Sequence, residues 1–138
     1  MEKTKRLWNN PALILLLIAL FGLGLRLLFF SGIGYSDDLY YSKYSYTLGD
    51  GTDPNTLAVR VGILYVTSFF YGIFGVNDYS SVFFILLASI ANIVLIYHFG
   101  KLLFNEKVGL LSAFLLSIFP LDIVYSTKLL TDIPSAFF

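Results

Sequence analysis

The sequence predicts an all-α membrane protein with three transmembrane helices, juxtamembrane helices in a long first outer loop, and the start of a fourth helix at the C-terminus. Three observations predict it. Of 138 residues, 57% are apolar and only 13% charged, where a soluble domain carries roughly 45–50% and about 25%. Three apolar runs nearly free of charge are long enough to cross a bilayer. The basic residues flank these runs so that a three-span topology gathers them on one side. The excess of apolar residues cannot fit inside so small a core, which excludes a soluble enzyme and a disordered chain. Nine basic residues balance nine acidic ones, so nucleic acid held by phosphate contacts is excluded as a partner. There is no cysteine, which removes disulfides, thiolate metal sites and cysteine nucleophiles together.

The first run, 12–30, holds 19 residues with one charge, Arg26. At 1.5 Å per residue it covers about 28 Å, close to the roughly 30 Å hydrocarbon core. Lys3, Lys5 and Arg6 precede it, as in a signal peptide, but the run exceeds the about 7–15 residues of a signal's apolar region, so a retained helix is expected. Arg26 lies one turn inside the end of the run. From there its guanidinium snorkels to the headgroups or faces a polar cavity.

The outer loop spans 31–80. Ser36 is placed to cap a helix whose first turn carries Asp37 and Asp38, which suit the positive end of the helix dipole. Gly49 and Gly51 are natural terminators. At helical spacing Tyr40, Tyr41, Tyr44 and Leu48 share one face, as in a helix lying along the bilayer surface. The uncharged run 61–75 is too short to span and reads as interfacial or re-entrant. Phe69, Phe70, Tyr71 and Phe74 within it suit the membrane interface.

The second span is 82–99 and the third 108–126, with Pro120 and Asp122 near the far end of the latter. The short loop 101–107 joins them into an antiparallel hairpin. With 61–75 not spanning, Lys3, Lys5, Arg6, Lys101 and Lys107 fall on one side, and the positive-inside rule makes the N-terminus cytoplasmic in a multi-pass protein, in the cell membrane if prokaryotic. Asn92, beside Ala88 and Ala91, suits an interhelical hydrogen bond. His98 is expected at the interface, and Asp122 at a solvated helix end, with a place in a cavity as its alternative. Asp132 is placed to cap a new helix, with Pro134 in its first turn. Because that helix has barely begun at Phe138, the chain reads as the N-terminal third of a longer protein, with the remainder of its own polypeptide as a partner. There is no glycine-rich phosphate loop and no zinc motif.

Two readings of the acidic loop stay open on residue pattern alone. In one, Asp37 and Asp38 are helix-start charges and the tyrosines an aromatic belt. In the other, the acids sit at the mouth of a cavity enclosed by the spans. A carboxylate there can take a proton from an attacking hydroxyl or help hold a divalent metal through oxygen ligands. Arg60, on the same side, either pairs with a phosphate or anchors the segment and balances nearby aspartates.

The order of features resembles the N-terminal third of the GT-C membrane glycosyltransferases. The groups it is most similar to are the dolichyl-phosphate-mannose protein mannosyltransferases and the lipid A aminoarabinose transferases. The resemblance rests on Arg26 late in the first helix, on Asp37-Asp38-Leu39-Tyr40, and on Arg60 opening a segment that ends in Ile73-Phe74-Gly75. A hairpin with the loop Gly100-Lys101-Leu102-Leu103-Phe104 and the closing Thr131-Asp132-Ile133-Pro134 complete it. An Asp-Asp pair where many members have Asp-Glu, and Val61-Gly62 after Arg60 where a proline often stands, depart from the pattern.

The resemblance implies an enzyme that moves a sugar from a polyprenyl-phosphate carrier to a glycan, lipid or protein acceptor at the outer or lumenal face. It implies Asp37 as the base or its orienting partner, with Asp38 as the alternative. It further implies substrate contacts from Arg60, Tyr40, Asp132 and Arg26, and no activity in the 138 residues alone. Membrane lipid and the lipid-linked sugar are the implied partners, and no resident cofactor is implied beyond a divalent metal as an option. The competing reading is a small non-enzymatic multi-pass protein, such as an accessory subunit of a lipid-sugar flippase.

Overall fold

The computed structural model describes residues 10–34, 37–48 and 61–137, and every described element is a helix. In chain order these are α1 (Pro11–Leu28), α2 (Asp37–Thr47), α3 (Val61–Phe74), α4 (Asp78–Leu103), α5 (Glu106–Ser117), α6 (Pro120–Tyr125) and α7 (Asp132–Phe137). The expected roles of Ser36, Gly49, Gly51 and Arg60, and of the N-terminal Lys3, Lys5 and Arg6, lie outside the described residues.

Two helices, α1 and α4, are long and apolar enough to cross a membrane. Asn10 starts α1: its side chain accepts from the Ala12 amide at 3.1 Å, and Pro11 occupies the first turn, where no amide donor is needed. The 26 residues of α4 run beyond the expected 82–99 at both ends. It starts at a tight corner. Gly75, at φ +76°, ends α3 in the left-handed conformation that a side chain resists. Asn77 then begins α4 with a reciprocal capping box, accepting from the Ser80 amide at 2.9 Å while Ser80 Oγ accepts from the Asn77 amide at 3.2 Å.

The expected third span, 108–126, is not one helix. It is broken into the 12-residue α5 and the six-residue α6. Pro120 is the cause. Its ring forces Phe119 out of the helical region, to φ −68° and ψ 117°, and it offers no amide to carry the hydrogen-bond ladder across. The hairpin expectation holds in a tighter form, since only Phe104 and Asn105 separate α4 from α5. Asn105 caps α5 through the Val108 amide at 3.0 Å, and Lys101 meets Glu106 at 3.2 Å across the turn. Gly100 and Gly109 let the two backbones touch. A Cβ on Gly100 would lie 2.7 Å from Gly109 Cα, and one on Gly109 would lie 2.5 Å from the Tyr97 carbonyl oxygen.

Two apolar clusters hold the bundle. Near the hairpin, Ile93 and Tyr97 of α4 meet Ala113 of α5, with Leu15 and Ile18 of α1 packed against them. At the other end Tyr41, Ile63, Leu64, Val82, Ile85 and Ala88 join Leu129 and Ile133. Many other large apolar side chains, among them Leu16, Leu20 and Phe21 of α1 and Leu111 and Leu115 of α5, stay exposed, as contact with lipid requires.

Packing changes the membership of two aromatic faces. In α2, Tyr41 is 1% exposed, with Tyr44 and Leu48 packed beside it, while Tyr40 points away at 56%. The apolar stripe therefore runs 41–44–48 and faces α3, and Tyr40 is not part of it. In α3, Phe69 and Phe74 are exposed as expected, but Tyr71 is buried. Its hydroxyl lies 2.6 Å from Ser42 Oγ and 2.7 Å from Ser81 Oγ, so one phenol joins α2, α3 and α4.

Candidate functional site

The polar groups concentrate at the end of the bundle away from the hairpin. Here residues 29–34 leave α1, α2 and α4 begin, and the break after α5 leads through α6 to α7. Phe30 stacks on Tyr79 with ring centroids 4.6 Å apart, and Ser31 Oγ lies 2.9 Å from Thr127 Oγ1. These contacts bind the exit of α1 to both α4 and the segment after α6.

The two acids opening α2 differ in environment. Asp37 is exposed. Asp38 is 3% exposed and accepts from the Gly34 amide through Oδ2 and from the Leu39 amide through Oδ1 at 3.0 Å. Asp38 therefore fixes the loop that precedes it, while Asp37 faces outward, free to meet a ligand. Tyr40 is exposed as well, on the same helix.

Asp132 is exposed at the start of α7 and lines a cleft of about 390 Å³ between α6 and α7. Asp122, Phe119 and Tyr125 line the same cleft, which thus combines two carboxylates with two aromatic rings. Asn92 supports this wall from α4, donating from Nδ2 to the Ile133 carbonyl at 3.3 Å. Its expected interhelical hydrogen bond is therefore made, to the backbone of α7.

Arg26 neither snorkels nor opens into a cavity: it is 0% exposed. Its Nη2 donates to Asp122 Oδ2 in an ion pair, and its Nε donates to Ser89 Oγ at 2.8 Å. Nη1 donates to the Gly22 carbonyl at 2.8 Å and to the Ser117 carbonyl at 3.3 Å. Ser89 in turn donates to Asp122 Oδ2 at 2.6 Å. Asp122 is not at a solvated helix end: it is 8% exposed, paired, and lines the cleft, in line with the cavity alternative. The local sequence makes this arrangement possible. Gly22, one turn before Arg26, leaves room: a Cβ there would sit 3.0 Å from both Arg26 Nη1 and Ile93 Cδ1. Ser117 is the last residue of α5, so its carbonyl is among those left without an intrahelical donor.

Of the residues singled out from the sequence, the structure places Asp37, Asp38, Tyr40 and Asp132 at this end of the bundle, and Arg26 inside it. Ser89, Ser117 and the pairing of Asp122 were not read from the sequence. The available signal was an unpaired charge in each of two spans, Arg26 and Asp122, at similar distances from the helix ends. Among the described residues no three His, Asp or Glu side chains converge to hold a metal ion.

The model of the dolichyl-phosphate-mannose-protein mannosyltransferase family matches residues 61–138. That is more than half of the chain, from α3 through α7, and it includes Asp122 and Asp132; Asp37 and Asp38 precede it. No curated protein and no solved structure matches the chain. With its apolar helices and outward apolar faces, this is a membrane protein and a member of the dolichyl-phosphate-mannose-protein mannosyltransferase family.

Proposed function

We propose that the chain is the N-terminal part of a multi-pass glycosyltransferase with a cytoplasmic N-terminus. It takes a sugar from a polyprenyl-phosphate carrier and passes it to an acceptor hydroxyl at the outer or lumenal face. Family membership supports the transferase class. The observation that carries the site is the split between the acids of α2: Asp38 is buried and committed to backbone amides, and Asp37 beside it is exposed.

The chemistry follows from the charges. The leaving group is already a phosphate, so departure needs positive charge more than a strong acid. The acceptor oxygen attacks the anomeric carbon from the face opposite the phosphate, the new C–O bond forms as the bond to phosphate breaks, and the hydroxyl proton passes to a carboxylate. Asp37 is that base, and Asp38 holds the loop that aims it. Arg60 binds the carrier phosphate, and Tyr40 and Asp132 line the path of the sugar. No step is assigned to a metal. The 138 residues alone are inactive in this reading, because they supply one wall of the site.

The test is sugar transfer by the full-length protein carrying Asp37→Asn or Asp38→Asn. Loss of the base costs about 10²–10⁴-fold in turnover, so Asp37→Asn is expected to fall by that much and Asp38→Asn by less. Near-normal turnover in both variants overturns the assignment.

A further inference from the structure

The cleft wall formed by α6 is a weak element by itself. It has six residues, well short of the about 12–15 at which an isolated helix holds together. Its apolar side chains add little: Ile123 is buried, but Leu121, Val124 and Tyr125 are all exposed. Beyond Ile123 and the buried segment that follows, what α6 offers to the bundle is polar, and Asp122 is the charged group it buries. That carboxylate is held from two other helices at once, by Arg26 of α1 and Ser89 of α4.

We infer that Arg26 is a positioning residue: through Asp122 it fixes α6, and with α6 the cleft in which Asp132 stands, instead of touching substrate itself. Its burial carries the inference. A guanidinium with no exposed surface, spending Nε, Nη1 and Nη2 on Ser89, two carbonyls and Asp122, has little left for a carrier phosphate. The same guanidinium reaches the Ser117 carbonyl at the end of α5. One side chain therefore clamps both sides of the proline break, the last turn of α5 and the first turn of α6. Buried ion pairs contribute little net stability against an apolar replacement, but breaking one leaves a buried charge that must move to find water. Here that movement would carry α6 with it.

The catalytic consequence rests on the transferase reading, but the positional one does not, so the experiment has two arms. The first uses the full-length protein with Ser31→Cys and Thr127→Cys, whose parent hydroxyl oxygens are 2.9 Å apart, so that the two thiols stand beside each other when the segment after α6 is in place. The rate of cross-linking under mild oxidation reports where the segment after α6 lies. Adding Arg26→Gln is expected to slow it about tenfold or more, and adding Arg26→Gln with Asp122→Asn together to restore most of the rate, since two neutral amides can bond without a stranded charge. An unchanged rate with Arg26→Gln overturns the inference. Should Arg26→Gln fail to fold, Asp122→Asn decides: it keeps the shape and a hydrogen-bond acceptor while removing the charge that Arg26 holds, and slowed closure supports the clamp while unchanged closure overturns it.

The second arm measures transfer kinetics per folded molecule. A displacement of about 1 Å at a reacting group costs on the order of 10²-fold, so Arg26→Gln is expected to lower kcat by about 10–100-fold with KM for the lipid-linked sugar unchanged. A raised KM with kcat intact means that Arg26 holds substrate and overturns the inference, as does no change in either. If the unmodified full-length protein transfers no sugar, the transferase reading fails while the cross-linking arm still decides the clamp.

Discussion

The crossing of α4 and α5 at Gly100 and Gly109 gives a prediction whose sign depends only on position. Adding one methyl group at Gly109 places a carbon 2.5 Å from the Tyr97 carbonyl oxygen and 2.9 Å from the Lys101 amide nitrogen. Both obstacles are backbone, so no rotamer change relieves them. Restoring ordinary contact requires the helices to separate by nearly an ångström, and overpacking of this kind costs about 1–3 kcal/mol. In lipid the loss is sharper in kind, because helices associate there by close packing with no hydrophobic force to draw them together. Gly72 and Gly24 have nothing within 4 Å of the corresponding position. Alanine at either should therefore stabilise, by about 0.5–1 kcal/mol, through helix propensity. The same substitution thus separates by about 1.5–4 kcal/mol between the two kinds of site. Unfolding in detergent micelles, followed by circular dichroism against added denaturing detergent, measures it. Gly109→Ala and Gly100→Ala together should cost less than the sum of the two, since both relieve strain by the same separation. If Gly109→Ala proves as stable as Gly72→Ala, the close crossing is not present.

Two further predictions concern buried polar groups. Asp122→Leu strands Arg26 as an unpaired buried charge and should destabilise by about 3–5 kcal/mol, whereas Arg26→Met combined with Asp122→Leu should come close to neutral, both read from the same detergent unfolding curves. Tyr71→Phe removes the phenol shared by Ser42 and Ser81 and should cost about 1–3 kcal/mol. Hydrogen exchange should place the loss in α2, because Ser81 keeps a second bond to the Asn77 carbonyl while Ser42 has none of that kind among the described contacts.

The parts of the fold legible in the sequence are those that local rules decide. The first span was expected over 12–30 and is found as Pro11–Leu28, because run length and the Asn10-Pro11 start are local signals. The hairpin followed from a short polar loop, and the end of α3 from Phe74-Gly75. Pro120 was visible too, but its effect was underestimated. It was expected inside one continuous span, 108–126, and the ladder instead breaks into two helices. The stripe on α2 shows a limit of periodicity: Tyr40 and Tyr41 are adjacent and both fit a broad helical face, and only the placement of α3 decides that Tyr41 is buried while Tyr40 is not.

The site divides in the same way. The sequence by itself determined that the solvent is lipid, that the helices are α1 and α4 at least, and that carboxylates cluster in the loop after the first span. Composition and run length suffice for that, because each residue's transfer into lipid is nearly independent of its neighbours. Which charges are free and which are spent is another matter. Arg26 and Asp122 are 96 positions apart, and no spacing rule connects them. Their pairing exists because Gly22 leaves room, Ser89 stands on the facing helix, and Pro120 turns Asp122 inward. Asp37 and Asp38, adjacent and chemically identical, are separated into an exposed group and a buried one by how α2 packs against the segment 31–34, whose Gly34 amide donates to Asp38. Tertiary structure decided these assignments, because the cost of burying a charge depends on partners that the chain brings together only when it folds.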